Sequence, residues 1–258
     1  MGWINYVPVQ SWPLAMGLAI FAEICNGFAQ LEIRRGILPN TGLIALMFAQ
    51  LGSLMAVPAL SPPLVTGISG FAVLLVVSVA YKADKTGGYT IAFAGLLVLG
   101  VLLVALDVAV NGEQEAKPAT DQAYTAFWVV SAICSVATAT CTAYTNHAAA
   151  RVLLMIGCGC QDVISTSLVY SALAPPGSPN MLPVLLASGI FGLYADRQSL
   201  RVNKLATHIA TAFATYNTGI WLASPAISSM TIHGGPLSIV GGILCIGAAA
   251  PLLWLGRT

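Results

Sequence analysis

Long apolar stretches alternate with short polar segments along the whole chain. A transmembrane helix needs about 20 mostly apolar residues, and nine stretches approach or exceed that length. They are 12–33, 40–60, 62–82, 88–110, 124–145, 150–173, 181–198, 203–224 and 235–256. Prolines and glycines that interrupt helices separate several of them, as in VPALSPPL after the second and ALAPPGSPN after the sixth. The pattern predicts an all-α polytopic membrane protein with about nine transmembrane helices.

The composition also indicates a membrane protein, and it argues against one class of partner. Hydrophobic residues make up 57% of the 258 residues and charged residues only 7%, whereas a soluble domain carries roughly 25% charged residues. Because so few charges do not cover a water-facing surface, we expect the lipid bilayer to surround the chain. The net charge of +1 argues against a nucleic-acid partner.

The basic residues predict the orientation of the helices. With the N-terminus placed outside, nine of the ten Lys and Arg residues fall on the inner side. They are Arg34, Arg35, Lys82, Lys85, Arg151, Arg197, Arg201, Lys204 and Arg257. Basic residues accumulate in cytoplasmic loops. The bias therefore favours nine spans, with the N-terminus outside and the C-terminus on the positive, cytoplasmic-type side.

The second half of the chain weakly repeats the first. GLLVLG (95–100) in the fourth span is matched by GILCIG (242–247) in the ninth, and LVTGI in the third by LATHI in the eighth. We expect one transmembrane domain, 1–258, built from repeat one (12–110), a linker (111–122), a linking helix (124–145) and repeat two (150–256). The first span starts outside and the sixth inside, so spans 1–4 and 6–9 form an inverted repeat. Secondary transporters often have this organisation, with a substrate site near the midplane.

Several of these stretches carry a family resemblance. GFAQLEIRRG (27–36), ALSPPLVTGISGFAVLLVV (59–77) and GLLVLG resemble the drug/metabolite transporter superfamily, most closely its NIPA-type magnesium transporters. LYADRQSLRVNKLATHIATAFATYNTG (193–219) is similar to their helix 7–8 region. Gly67 stands where the family usually has a proline. The resemblance implies an inverted-repeat bundle that moves a cation, with Mg²⁺ as substrate, or a small metabolite by alternating access.

Ionisable residues within apolar spans mark candidate sites, because charge is costly at membrane depth. Glu23 lies mid-way along the first span, and Asn26 and Gln30 share its helical face. Asp162 lies mid-way along the sixth span, with Thr166 on its face. We expect Glu23 and Asp162 to bind a divalent cation through oxygen ligands or to share a proton. The alternative is two separate structural hydrogen bonds.

Other polar residues are weaker candidates. His208, Thr211 and Thr215 form a stripe on the eighth span and are predicted to line the cavity, although membrane hydroxyls often bond to their own backbone. Asp107, near the outer end of the fourth span, is expected to be solvated at the interface.

Cysteine and enzyme chemistry are not expected. A structural zinc site needs four ligands, and Cys158 and Cys160 lack a second paired motif, so small-residue packing is the preferred interpretation. No nucleotide, nucleophile-elbow or H-E-x-x-H motif is present. We therefore predict neither a cofactor nor an enzyme.

Two functions remain open from the sequence. The first is a secondary transporter or permease of the drug/metabolite type, with a homodimer or other membrane subunits as its expected protein partners. The alternative is a non-transporting accessory subunit with a transporter-like fold, held by other membrane subunits. Its very short loops leave little surface for a soluble partner.

Overall fold

The computed structural model describes residues 11–35, 39–56, 60, 62–83, 87–111, 121–173, 182–227 and 235–255. Over these residues the chain forms nine α-helices and no β-strand. The helices are α1 (Trp12–Arg35), α2 (Pro39–Ala56), α3 (Pro62–Ala83), α4 (Gly88–Asn111), α5 (Asp121–Ala143), α6 (Ala148–Leu173), α7 (Leu182–Val202), α8 (Leu205–Ile227) and α9 (Pro236–Leu255). Each predicted apolar stretch overlaps one of them, so the prediction of an all-α protein is confirmed over the described residues. The linker 111–122 lies almost entirely outside the described residues.

Among the described residues, four helical segments are long and apolar enough to cross a bilayer. They are Trp12–Ile33, Gly88–Asp107, Ala148–Thr166 and Pro236–Leu255. Large apolar side chains also point outward from helices of both halves, such as Ile24 (63% exposed), Ile133 (62%) and Ile190 (66%). An apolar exterior of this kind suits lipid contact rather than water. The protein is therefore membrane-embedded, whereas the number of nine spans stays a prediction.

Helix α8 lies at the centre of the packing. It contacts α3, α4, α6, α7 and α9, while α1 packs on α2 and α3, and α5 packs on α6 and α7. The main core forms where α3, α4, α8 and α9 meet, and it includes Val76, Leu97, Phe213 and Leu252. One polar crossing, between α6, α7 and α8, lies beside this apolar core and holds much of the chemistry described below.

Glycines allow two helix pairs to touch through their backbones. A Cβ atom on Gly241 of α9 would lie 2.5 Å from the carbonyl oxygen of Gly100 on α4. On α6, a Cβ atom on Gly159 would lie 2.5 Å from the carbonyl oxygen of Ala212 on α8. Membrane helices gain much of their association energy from such close packing of small residues. Both contacts therefore require glycine.

Asp107 has a structural role that differs from the predicted one. It is buried, with 1% exposure, and its carboxylate accepts hydrogen bonds from the backbone N–H (3.3 Å) and the hydroxyl group of Ser238. Ser238 lies in the first turn of α9, where N–H groups lack helical partners and the helix dipole favours negative charge. The expected solvation of Asp107 at the interface is wrong, because the side chain caps α9 instead.

Candidate functional site

Carboxylates from three helices are linked electrostatically through Asp162. The Asp162 carboxylate on α6 interacts electrostatically with those of Glu23 on α1 and Asp196 on α7. The structure thus brings together the two acidic residues that the sequence singled out and adds a third. The sequence did not single out Asp196, because this residue lies in the polar stretch YADRQ. Its neighbour Arg197 was assigned to the inner end of the span.

The Asp162 side chain is exposed. We call the space that it shares with the Glu23 and Asp196 carboxylates the cleft. The electrostatic partners of Asp162 are on α1 and α7, so its carboxylate lies within electrostatic range of both helices. An accessible acid at this depth marks a polar cleft, because polar residues in membrane helices face an interior or a water-filled cavity.

Asn26 and Gln30 lie on the same face of α1 as Glu23. Glu23 is half-buried, and the Asn26 side chain, one helical turn further along α1, forms a hydrogen bond with it. Gln30 lies one turn beyond, partly buried, and its Oε1 atom has no hydrogen-bond partner in the described part of the chain. An amide oxygen without a partner, on the same helix face as a carboxylate, leaves an oxygen ligand available on that face.

Thr166 and Tyr216 connect α6 to α8 near the carboxylates. The Thr166 hydroxyl and the Tyr216 hydroxyl are 3.3 Å apart and share a hydrogen bond. Tyr216 also interacts electrostatically with Asp162 and Glu23. Thr166 therefore lies next to the cleft, as the helical spacing from Asp162 indicated.

Thr211 and Thr215 have backbone partners. The buried Thr211 hydroxyl donates to the carbonyl oxygen of Leu252 on α9 at 3.2 Å. The Thr215 hydroxyl donates to the Thr211 carbonyl oxygen at 3.0 Å, one turn back along α8. Both bonds stabilise helix packing or satisfy the helix itself. A binding role for either threonine stays a prediction.

His208 lies in a second polar cluster, toward the end of α7. Its ring is fully buried, and Nδ1 is 2.8 Å from the Ser199 hydroxyl. Its Nε2 atom is 3.5 Å from Oδ1 of Asp196. The ligand atoms of Cys158, Asp196 and His208 lie within 4.8 Å of one another. Asp196 thus belongs to both the carboxylate group and this cluster.

Cys158 and Cys160 face different helices. Cys158 forms a hydrogen bond with Asp196 of α7, whereas Cys160 forms one with Cys134 of α5. Residues two positions apart on a helix point to different sides, so the C-x-C sequence does not form a chelating pair. All six cysteines are free thiols.

The arrangement suits the binding of a cation or a proton. Carboxylate and amide oxygens are the preferred ligands of hard divalent ions such as Mg²⁺, and clustered acids at membrane depth also occur in proton relays. In comparisons with protein-family models, with curated proteins and with solved structures, nothing matches the chain. The resemblance to drug/metabolite transporters therefore rests on the sequence motifs alone.

Proposed function

We propose that the protein is a secondary transporter of the drug/metabolite type that moves a cation through the cleft beside Glu23 and Asp162. The observation that carries the proposal is the electrostatic interaction of Asp162 on α6 with the carboxylates of Glu23 on α1 and Asp196 on α7 in a membrane-embedded bundle. Like charges near one another in a low-dielectric interior repel each other. A bound cation or proton would neutralise this repulsion, so the carboxylate group favours the binding of a cation or a proton.

The chemistry of the ligands favours a small, hard cation. Glu23 and Asp162 supply charged oxygens, and the free Oε1 atom of Gln30 lies on the Glu23 face of α1. Asn26 holds the Glu23 side chain by a hydrogen bond. Mg²⁺ is bound by one or two carboxylates while it keeps several waters, which suits a solvent-accessible cleft. We therefore take Mg²⁺ as the first substrate to test.

The helix pairing supports an inverted repeat as part of the proposal. If α1–α4 correspond to α6–α9, then α1 on α2 corresponds to α6 on α7, and α3 on α4 to α8 on α9. The pairs α3 with α8 and α4 with α9 would then lie across the pseudo-twofold axis. In this arrangement Glu23 and Asp162 occupy the first helices of the two repeats, where alternating access would expose them in turn.

The test is uptake by the purified chain in lipid vesicles that contain a Mg²⁺ indicator. We expect uptake to fall to the level of protein-free vesicles for Glu23→Gln and for Asp162→Asn, because each removes a charged ligand while keeping the side-chain shape. Glu32→Gln is the matched control. It removes a carboxylate nine residues further along α1, on the opposite helix face, and should leave uptake unchanged.

Two results would contradict the proposal. Uptake that survives both substitutions would exclude a carboxylate mechanism. A folded protein that moves neither Mg²⁺ nor small metabolites, but copurifies with a fixed set of membrane proteins, would favour the accessory-subunit alternative. A matched loss in all three variants, including Glu32→Gln, would point to damage of the fold.

A further inference from the structure

The cluster of Cys158, Asp196 and His208 has the chemistry of a metal site. It joins a thiol from α6, a carboxylate from α7 and an imidazole from α8, with their ligand atoms within 4.8 Å of one another. Cys158 and His208 are buried, with exposures of 1% and 0%. Because the three helices pack directly on one another, the positions of the three side chains are set by rigid elements.

The orientation of His208 is the second observation. Its buried Nε2 atom has no hydrogen-bond partner within the described ranges, although it lies 3.5 Å from Oδ1 of Asp196. A buried polar atom without a hydrogen-bond partner is unfavourable unless another interaction compensates it. An imidazole nitrogen aimed at a thiol and a carboxylate, and left without a hydrogen bond, is poised to coordinate an ion.

The neighbouring side chains hold the ring in the orientation that a metal requires. The Ser199 hydroxyl lies 2.8 Å from Nδ1, and the same hydroxyl oxygen accepts a hydrogen bond of 2.9 Å from the Asn203 side chain. Asn203 in turn donates to the carbonyl oxygen of Arg151 at 3.3 Å. Metal-binding histidines commonly use their second ring nitrogen in this way, with Nδ1–H donating and Nε2 free to bind.

We propose that Cys158, Asp196 and His208 form a binding site for a transition-metal ion of the zinc class, with a fourth coordination position left open. A tetrahedral Zn²⁺ ion with bonds of about 2.0–2.3 Å holds its ligand atoms roughly 3.3–3.8 Å apart, so small side-chain rotations close the cluster on an ion. Sulfur and nitrogen ligands select zinc over Mg²⁺. Metal binding at this cluster does not require transport, although the cluster shares Asp196 with the carboxylate group.

Binding balances the local charge. The Cys158 thiol loses its proton to solvent as the Zn–S bond forms, a step that couples metal affinity to pH. The thiolate, the Asp196 carboxylate, the neutral His208 ring and one Zn²⁺ ion together carry no net charge. Asp162 and Asp196 interact electrostatically, and Asp162 also acts on Cys158. This additional negative charge favours a divalent ion at the cluster.

The test uses Co²⁺ as a spectroscopic substitute for Zn²⁺, added to the purified, chelator-treated chain in detergent. We expect one equivalent to bind with the d–d absorption of a tetrahedral site and a thiolate-to-cobalt charge-transfer band. Cys158→Ser should abolish the charge-transfer band. Cys160→Ser, the matched control two residues along α6, should keep it. Ser199→Ala, which removes the support of Nδ1, should weaken binding about 10- to 100-fold.

A measurement on the unaltered chain keeps the test decisive if a variant fails to fold. X-ray absorption of the zinc-loaded protein should show one sulfur ligand at about 2.3 Å together with nitrogen and oxygen ligands. A zinc environment without sulfur, or a charge-transfer band that persists in Cys158→Ser, would overturn the proposal. Neither readout depends on ion movement, so a failed uptake assay and a failed metal site are told apart.

Discussion

Replacement of Gly159 by alanine tests how closely α6 and α8 must pack to build the cleft. The new Cβ atom would lie 2.5 Å from the carbonyl oxygen of Ala212, 2.7 Å from the Cβ atom of Thr215 and 3.0 Å from the backbone nitrogen of Tyr216. Two of these three atoms belong to the backbone of α8 and do not rotate away. The two helices must therefore separate.

The size of the separation follows from the contact distances. Relief of the closest contact, from 2.5 Å to an ordinary 3.4 Å, requires a shift of about 0.9 Å. Overpacking of this kind costs about 1–3 kcal/mol. The same shift would also break the bond between the hydroxyls of Thr166 and Tyr216, which already spans 3.3 Å.

The assay is unfolding in a titration of the purified protein with a denaturing detergent, followed by tryptophan fluorescence. Gly189→Ala on α7 is the matched control, because a Cβ atom there meets nothing within 4 Å and alanine gains up to about 1 kcal/mol of helix propensity. We expect Gly159→Ala to lower the free energy of unfolding by about 1–3 kcal/mol while the control holds or raises it. Equal stability of the two variants would refute the packing of α6 on α8.

Three further predictions concern contacts between helices. Gly241→Ala should destabilise the protein by about 1–3 kcal/mol, whereas Gly247→Ala, with open space around it, should not; equal unfolding curves would contradict the close contact of α4 with α9. Asp107→Ala should cost about 0.5–2 kcal/mol through loss of the α9 cap, and faster amide exchange in the first turn of α9 would locate the effect. Thr211→Val removes the hydrogen bond to Leu252 and should lower the free energy of unfolding by about 0.5–1.5 kcal/mol without changing Mg²⁺ uptake. A loss of uptake at unchanged stability would instead assign Thr211 to the binding site.

Much of the candidate site was visible in the sequence, because a charge stands out in an apolar stretch. Glu23 and Asp162 were identified in this way, and the helical repeat placed Asn26 on the Glu23 face and Thr166 on the Asp162 face. Asp196 was missed because it lies among other polar residues, where one more carboxylate does not stand out. Its importance comes from interactions with Asp162 and Cys158, more than thirty positions away in the chain, and with His208, twelve positions away.

The cysteines are a second example of an arrangement that the sequence pattern does not reveal. A metal site is recognised in a sequence when its ligands recur at short, regular spacings. Cys158 and Cys160 lack a second pair of this kind. The structure turns Cys160 toward Cys134 and Cys158 toward Asp196. Ligands contributed singly by three helices leave no local pattern, so only the packing of α6, α7 and α8 brings them together.

The sequence by itself determined that the protein is all-α and membrane-embedded, because the length of each apolar stretch and the scarcity of charge are local properties of the chain. It also determined which face of a helix each polar residue occupies, because that face follows from the helical repeat. Only the tertiary structure decided what each face meets. It placed Asp107 on the first turn of α9, the Thr211 hydroxyl on the Leu252 carbonyl oxygen, and His208 beside Asp196. These partners depend on which helices pack together. Glycines allow that close packing between segments that are distant in the chain.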